Sequence, residues 1–228
     1  MKKKINIKKK KIKKYNFKKK YSLVKSIKII KYCNNTKFDS SIDMYINIKL
    51  NKKKKDILIF KKNLNLPYSN GKKKKILALV YKEDRKKIKK LGVKYVGGYK
   101  YINKIKNEKW LNFDLIVTNK FYMNELVKLG KILGSKGLIP NIDEGNITEN
   151  PYKIIKNIIL GKKIIIKPDK YGIIHTTVGK VSYEDKKIID NIKFILKQIK
   201  KIKINNKNLL LKNVFLSSTM GPSVKLSL

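Results

Sequence analysis

Ile42, Met44, Ile46, Ile48 and Leu50 occupy every second position of one stretch, and that unbroken alternation constrains the fold more than any other feature of the chain. Successive side chains of a strand point to opposite faces. A strand patterned this way buries one face and leaves the other to solvent, so it needs antiparallel neighbours and a core on one side only. Candidate neighbours lie at both ends of the 228-residue sequence. Lys52 to Lys55 reads as a charged turn and Ile57 to Phe60 as a returning strand. Lys163 to Lys167 and Ile173 to Val178 read as a hairpin around Asp169 to Gly172, and Leu209 to Leu216 as a last strand. Two amphipathic helices can cover the apolar face. Tyr21 to Cys33 carries Leu23, Ile27 and Ile30 at helical spacing, and a longer stretch carries Ile188, Ile189, Ile192, Ile195, Leu196 and Ile199. Ser182 with Asp185 three residues on reads as the capping box of the second helix.

The pattern is different in the middle of the chain. Ile76 to Tyr81 is a short continuous apolar run, the mark of a parallel strand buried on both faces. Glu83 to Leu91 follows as a helix that Gly92 ends, then Val93 to Val96 as a strand and Gly97-Gly98 as a turn. Tyr101 to Trp110 reads as a helix, Phe113 to Thr118 as a strand and Tyr122 to Leu133 as a helix. Strands alternating with helices predict an α/β layer. Asn63 to Gly71 is rich in turn formers and suits a domain boundary. The expectation is an α+β domain built from residues 1–70 and 161–228, with an α/β domain inserted at 71–160. Two linkers side by side would form a hinge.

Charge bounds the function. There are 59 basic residues against 15 acidic, a formal net charge of +44. Such a chain repels itself, and a polyanion relieves the repulsion: nucleic acid first, an anionic membrane surface second. Arg85 is the only arginine and Ala78 the only alanine, a bias toward AT-rich codons, so part of the lysine excess is compositional drift on solvated faces. Met1 to Lys20 reads as a lysine-rich arm without the apolar core of a secretory signal. No apolar run approaches the roughly 20 residues that span a bilayer. One cysteine, Cys33, and one histidine, His175, exclude an intrachain disulfide and a multi-ligand zinc site of those residues.

Enzyme chemistry finds little support. A dinucleotide site needs glycines directly after its first strand, but Lys82-Glu83-Asp84-Arg85 stands there. Gly134 to Gly137 does not match a phosphate-binding loop, and Asp143 and Glu144 adjoin as solvated loop acids do. His175 lies on an alternating strand, where a packed or hydrogen-bonded imidazole is the ordinary reading. No cofactor is expected. Three stretches combine turn backbone, small hydroxyls and cations: Thr36 to Ser40, His175 to Lys180, and Ser217 to Ser223. Hydroxyls and backbone N–H groups bind phosphate and 2′-OH in register, Gly221 admits close backbone approach, and Phe38 offers a flat ring. The residues alone fit RNA contact or ordinary turn chemistry.

Leu129 to Asn141 (LGKILGSKGLIPN), with Val93 to Gly98 (VKYVGG), Lys37-Phe38-Asp39, Gly172 to Lys180 (GIIHTTVGK) and Ser218 to Ser223 (STMGPS), resembles in order and spacing the signature of the large-subunit ribosomal protein L-one family, in its bacterial form. The resemblance covers roughly Tyr21 to Val224. It implies a two-domain protein, an α+β domain of both chain ends and an inserted Rossmann-like three-layer α/β domain. It also implies a non-enzymatic role: binding large-subunit ribosomal RNA at the mobile stalk, assisting release of exit-site transfer RNA, and repressing the protein's own operon messenger. By resemblance the RNA-binding residues are Lys37, Phe38, Ser218, Thr219, Met220, Gly221 and His175. The implied location is the large subunit in the cytoplasm, with an organelle ribosome as the alternative, and no membrane. The alternatives in function are a dedicated messenger-binding repressor and a nucleotide-using enzyme in the insert. The chain departs from the family pattern at Ser135-Lys136, usually Pro-Arg, and at Ile142, usually Pro. Lysine lacks the bidentate fork of arginine, which weakens the case for insert contacts.

Overall fold

The computed structural model describes residues 15–48, 61–142, 145–204, 207–208 and 211–227. In chain order its elements are β1 (Lys20–Tyr21), α1 (Leu23–Cys33), β2 (Ser41–Ile48), β3 (Lys62–Asn65), β4 (Ile76–Leu79), α2 (Lys82–Lys90), β5 (Tyr95–Gly97), α3 (Tyr99–Glu108), β6 (Leu115–Thr118), α4 (Lys120–Lys128), α5 (Gly130–Gly134), α6 (Pro151–Ile159), β7 (Lys163–Ile166), β8 (Ile173–Lys180), α7 (Asp185–Lys200), β9 (Lys203–Ile204), β10 (Lys207–Asn208), β11 (Leu211–Ser218) and β12 (Val224–Leu226). The chain divides into two compact units, Met1–Gly71 with Ile164–Leu228, and Lys72–Lys163.

In the first unit the alternating stretch is β2, central in a five-stranded sheet of order β1-β12-β11-β2-β8. Ile42, Met44, Ile46 and Ile48 point into a core shared with Val214 and Leu216 of β11, Ile27 and Ile30 of α1, and Ile188, Ile192, Ile195 and Ile199 of α7. The inward isoleucines of α7 fall at intervals of three and four, which is why this helix lies along the sheet. Asn191 stands buried among them. Its Nδ2 donates to the Val178 and Tyr68 carbonyls at 2.8 and 3.2 Å, and its Oδ1 accepts from Tyr68 N–H at 3.1 Å, so every bond keeps a loop or strand in place.

Several local expectations need correction. Lys163 to Lys167 and Ile173 to Val178 do not form a hairpin. β7 pairs with β3 in a separate two-stranded sheet while β8 pairs with β2, and the bridge Pro168–Ile174 and the Asp169 N–H to Ile173 carbonyl bond tie the connecting turn to β8. The turn-rich boundary therefore begins inside a strand, β3. Ser182 does not cap α7: its Oγ donates to Asp39 Oδ2 at 2.8 Å and its N–H to Asp39 Oδ1 at 3.1 Å. Asp185 instead meets Lys31 Nζ at 2.6 Å, joining the basic C-terminus of α1 to the N-terminus of α7. The end of the N-terminal arm is structured, since Lys20 and Tyr21 pair in parallel with Lys225 and Leu226. The expected arm over residues 1–14 and the expected turn and returning strand at Lys52 to Phe60 lie outside the described residues.

The second unit is a three-stranded parallel sheet of order β5-β4-β6 between two layers of helices. The continuous apolar run explains this directly. Leu77 and Leu79 enter one core with Ile102 and Ile105 of α3, Leu126 of α4 and Leu133 of α5. Ile76, Ala78 and Val80 enter the other with Ile88 of α2 and Ile155 and Ile158 of α6. Gly92, at φ +84°, ends the chain's turn out of α2, a left-handed position that suits glycine. The helix expected over Tyr122 to Leu133 is broken at Leu129-Gly130 into α4 and α5.

Candidate nucleic-acid interface

The alternation that buries one face of the five-stranded sheet also fixes what the other face carries. Register pairs Lys20 with Lys225, Lys225 with Phe215, Phe215 with Tyr45, and Tyr45 with His175. Residues opposite one another share a face. The row Lys20, Lys225, Phe215, Tyr45, His175 thus crosses all five strands on the side away from the core. Lys225 Nζ lies 5.8 Å from the Phe215 ring centre, and the Tyr45 and His175 rings meet edge to face at 5.3 Å. A second row pairs Ser217 with Asp43 and Asp43 with Thr177, whose Oγ1 donates to Asp43 Oδ1 at 2.5 Å.

Two turns close one end of this sheet. In the first, between α1 and β2, Thr36 Oγ1 donates to the Phe38 carbonyl at 2.7 Å and accepts from Ser40 Oγ at 2.6 Å. The Asp39 carboxylate is fastened by Ser182 and by Lys180 Nζ at 3.6 Å. Burial pushes the Asp39 pKa up, but the Ser182 hydrogen bonds and the Lys180 charge outweigh it and hold the group below the usual carboxylate value. With its neighbours so tied, Phe38 is left 56% exposed. In the second turn, Thr219 N–H donates to the Ser41 carbonyl at 3.1 Å and Ser41 N–H donates to Thr219 Oγ1 at 3.2 Å. Gly221 N–H returns to the Ser218 carbonyl at 3.0 Å, and Met220 is 62% exposed at the tip.

Lys37, Phe38, Thr219, Met220 and Gly221 therefore gather at one end of the sheet, on neighbouring turns that meet at Ser41. Ser218 does not join them on the surface. It pairs with the inward Ile42, is 2% exposed, and its hydroxyl is buried without a hydrogen-bond partner among the described residues. A Cβ on Gly221 would collide with that hydroxyl, so glycine is what allows the turn to fold over it. His175 lies on the open face but opposite Tyr45, four positions from Ser41 and so about 14 Å along the strand. Its Nε2 stands 3.3 Å from Asp169 Oδ2. The Ile173 N–H, then the His175 and Tyr171 hydrogen bonds, hold the Asp169 carboxyl below its usual value against a smaller opposing effect of burial.

Tyr45, Phe215 and Lys225 were not among the residues expected from the sequence. The outward positions of the alternating strand would have shown the first, because the residues between the isoleucines are Asp43, Tyr45 and Asn47. The others needed the register of β11 and β12. The surface as built offers rings, hydroxyls and lysine ammonium groups on a rigid sheet, with backbone turns at one end. It can stack on bases, pair with phosphates and hydrogen-bond ribose hydroxyls. Among the described residues no group of His, Cys, Asp or Glu is placed to hold a metal ion, and no helix is long and apolar enough to cross a membrane.

Residues 29–222 match the family model described as "Ribosomal protein L1p/L10e family". The chain is 37% identical over 206 residues to "Large ribosomal subunit protein uL1" of Mycoplasma capricolum subsp. capricolum, covering 90% of each sequence. It is 36% identical over 206 residues to the protein of that name from Mycoplasma mycoides subsp. mycoides, again over 90% of each. It is 35% identical over 207 residues to that of Christiangramia forsetii, over 90% of this chain and 88% of the other.

Proposed function

Because the chain belongs to the ribosomal protein L1p/L10e family, we propose that its open sheet face and the two turns at its end bind large-subunit ribosomal RNA at the mobile stalk. The family is one of structural ribosomal proteins, not enzymes. One observation carries the RNA reading: Lys37, Phe38, Thr219, Met220 and Gly221 stand at the end of a face whose central row is Lys225, Phe215, Tyr45 and His175. Lysines supply long-range attraction to phosphate, and a preformed surface reads the shape of a folded RNA. His175 belongs to the open face and its row, and Ser218 acts beneath Gly221. In this reading the RNA-binding domain is the unit of both chain ends, and the α/β unit between them is an insert.

On the ribosome the same protein assists release of exit-site transfer RNA, and off it the same surface represses its own operon messenger. The protein resides on the large subunit in the cytoplasm. The test is a sucrose-gradient profile of the tagged protein with sequencing of its bound RNA. Co-sedimentation with the large subunit and recovery of its RNA are expected, with Thr219→Val reducing both. Recovery of one messenger alone would favour a dedicated repressor, and a stoichiometric bound nucleotide with no RNA would favour an enzyme.

A further inference from the structure

The second unit has a topological switch point that its place in the fold leaves unused. β4 is central, with β5 on one side and β6 on the other, so the connections diverge at the carboxyl ends of the strands. Ligands of open α/β sheets settle in the crevice that such a divergence creates. Three helices, α2, α3 and α4, begin at this edge, and their free N–H groups favour an anion. α2 carries Glu83 and Asp84 in its first turn, whereas α3 and α4 carry no acid there. A phosphate therefore belongs beside α3 and α4.

Independent features converge on the same edge. Asn119, the N-cap of α4, is 2% exposed, makes no capping bond, and leaves both Oδ1 and Nδ2 without a partner among the described residues. Buried amides are normally satisfied, and this one stands unpaired at the positive end of a helix. Arg85, the single arginine among 59 basic residues, donates from Nε to the Val80 carbonyl at 3.3 Å. Its Nη2 sits where a side chain on Gly98 would stand, as does the Tyr122 hydroxyl. No carboxylate pairs with it among the described residues. Around this point Tyr81, Tyr99 and Phe121 are 47, 48 and 53% exposed, with Phe121 6.0 Å from Tyr81 and 6.2 Å from Tyr99 between ring centres. Half-exposed rings beside a guanidinium form a platform for a base and its phosphate. The turn after β4 lacks the glycines that wrap a pyrophosphate, so the platform is open rather than enclosing, as a chain with flanking nucleotides requires.

We propose that this carboxyl edge is a second RNA site, taking one phosphate at Arg85 and the α3 and α4 N-termini and one unstacked base on Tyr99 and Phe121. The proposal rests on the reading that the protein works on RNA, but not on which face of the first unit holds the stalk. The test uses the full-length chain, an oligoadenylate of about five nucleotides with one photoreactive base, and inorganic polyphosphate of matched charge. Cross-links are expected at Tyr81, Tyr99 or Phe121. Phe121→Leu and Tyr99→Leu should each weaken RNA binding by about fivefold or more and leave polyphosphate binding within about twofold. Arg85→Lys, which keeps the charge and loses the fork, should weaken the RNA as well. Unchanged Trp110 fluorescence confirms that the unit stays folded. Cross-links confined to the first unit, or equal losses for RNA and polyphosphate, would overturn the proposal. Co-sedimentation of Phe121→Leu with large subunits is scored separately: its retention separates this site from the stalk surface, and loss of sedimentation only in Thr219→Val speaks to the stalk surface alone.

Discussion

Gly221 invites a substitution whose cost can be worked out from its surroundings. A Cβ there collides with Ser218 Oγ, while the next atoms, Ser218 Cβ and N, lie 3.4 and 3.7 Å away at ordinary contact. Gly221 is not among the residues at positive φ, so alanine pays no backbone penalty. Overpacking costs about 1–3 kcal/mol, and the loss of glycine's freedom in the unfolded chain returns about 0.4–1 kcal/mol. Gly221→Ala should therefore destabilise the first unit by about 0.5–2 kcal/mol. Ser218→Ala removes the colliding atom together with a buried hydroxyl that has no partner. The double variant should return to wild-type stability or exceed it, a coupling of about 1–3 kcal/mol in a double-mutant cycle. Hydrogen exchange at the β11 and β12 amides reports the first unit. Trp110, the only tryptophan, belongs to the second and serves as an internal control. The pair also separates packing from binding. If Gly221 touches RNA backbone, the double variant is stable yet binds stalk RNA weakly. A single variant as stable as wild type, or a double variant that recovers nothing, would refute the reasoning.

Asn191→Ala should cost the first unit about 1–3 kcal/mol in denaturant unfolding, because it leaves the buried Val178 carbonyl without its partner and releases the part-buried backbone groups of Tyr68. Ser182→Ala should raise the Asp39 pKa in an NMR titration. That depressed pKa stabilises the fold above the unfolded aspartate value of about 3.9 and the benefit is lost as pH falls through the folded value, so wild type and variant should converge in stability in acid. RNA affinity should fall with salt at about −0.7 to −0.9 in log–log slope for each phosphate neutralised, and a flat series would remove the electrostatic account. A chain joining Gly71 to Ile164 through a short Gly/Ser linker should keep most of the affinity for stalk RNA, and residues 72–163 alone should bind that RNA poorly; equal binding by both would mean that unspecific charge governs.

Periodicity made the interior of both units readable. The isoleucines of β2, Ile188, Ile192, Ile195 and Ile199 of α7 and the continuous run of β4 are buried as their spacing requires, while Ile189 and Leu196 at the edge of the α7 stripe are only partly covered. Pairing choices were less legible. Nothing local distinguishes β7 as a partner of β3 from β7 as a partner of β8, since the decision lies in segments far apart in sequence. Ser182 shows the same limit: its capping signature is genuine, but Asp39, distant in the chain, offers its hydroxyl a charged acceptor. α6 was missed although Pro151 and the apolar spacing of Ile155 and Ile158 mark it, because nine residues supply few turns on which to count a period. The clustered candidates at Phe38 and Thr219 came from resemblance, and the aromatic row beside them became visible only once the register of β11 was known.

Pairing of β2 with β8 and β11, and of β1 with β12, has a consequence for biosynthesis. A chain emerges from its N-terminus at about 5–20 residues per second. β2 is made early, yet both of its partners lie in the last third of the sequence, so its apolar side must wait roughly 10–30 s at that pace before it can be covered. The second unit, Lys72–Lys163, has β4, β5 and β6 close together in sequence and can close while the rest is still being made. The second unit is thus the first part able to fold, and the five-stranded sheet of the first unit is completed only when Val224 to Leu226 arrive to receive Lys20 and Tyr21. Abundant lysine along the waiting segments then acts as a kinetic safeguard, since like charges keep two unfinished chains from pairing their bare strands with each other.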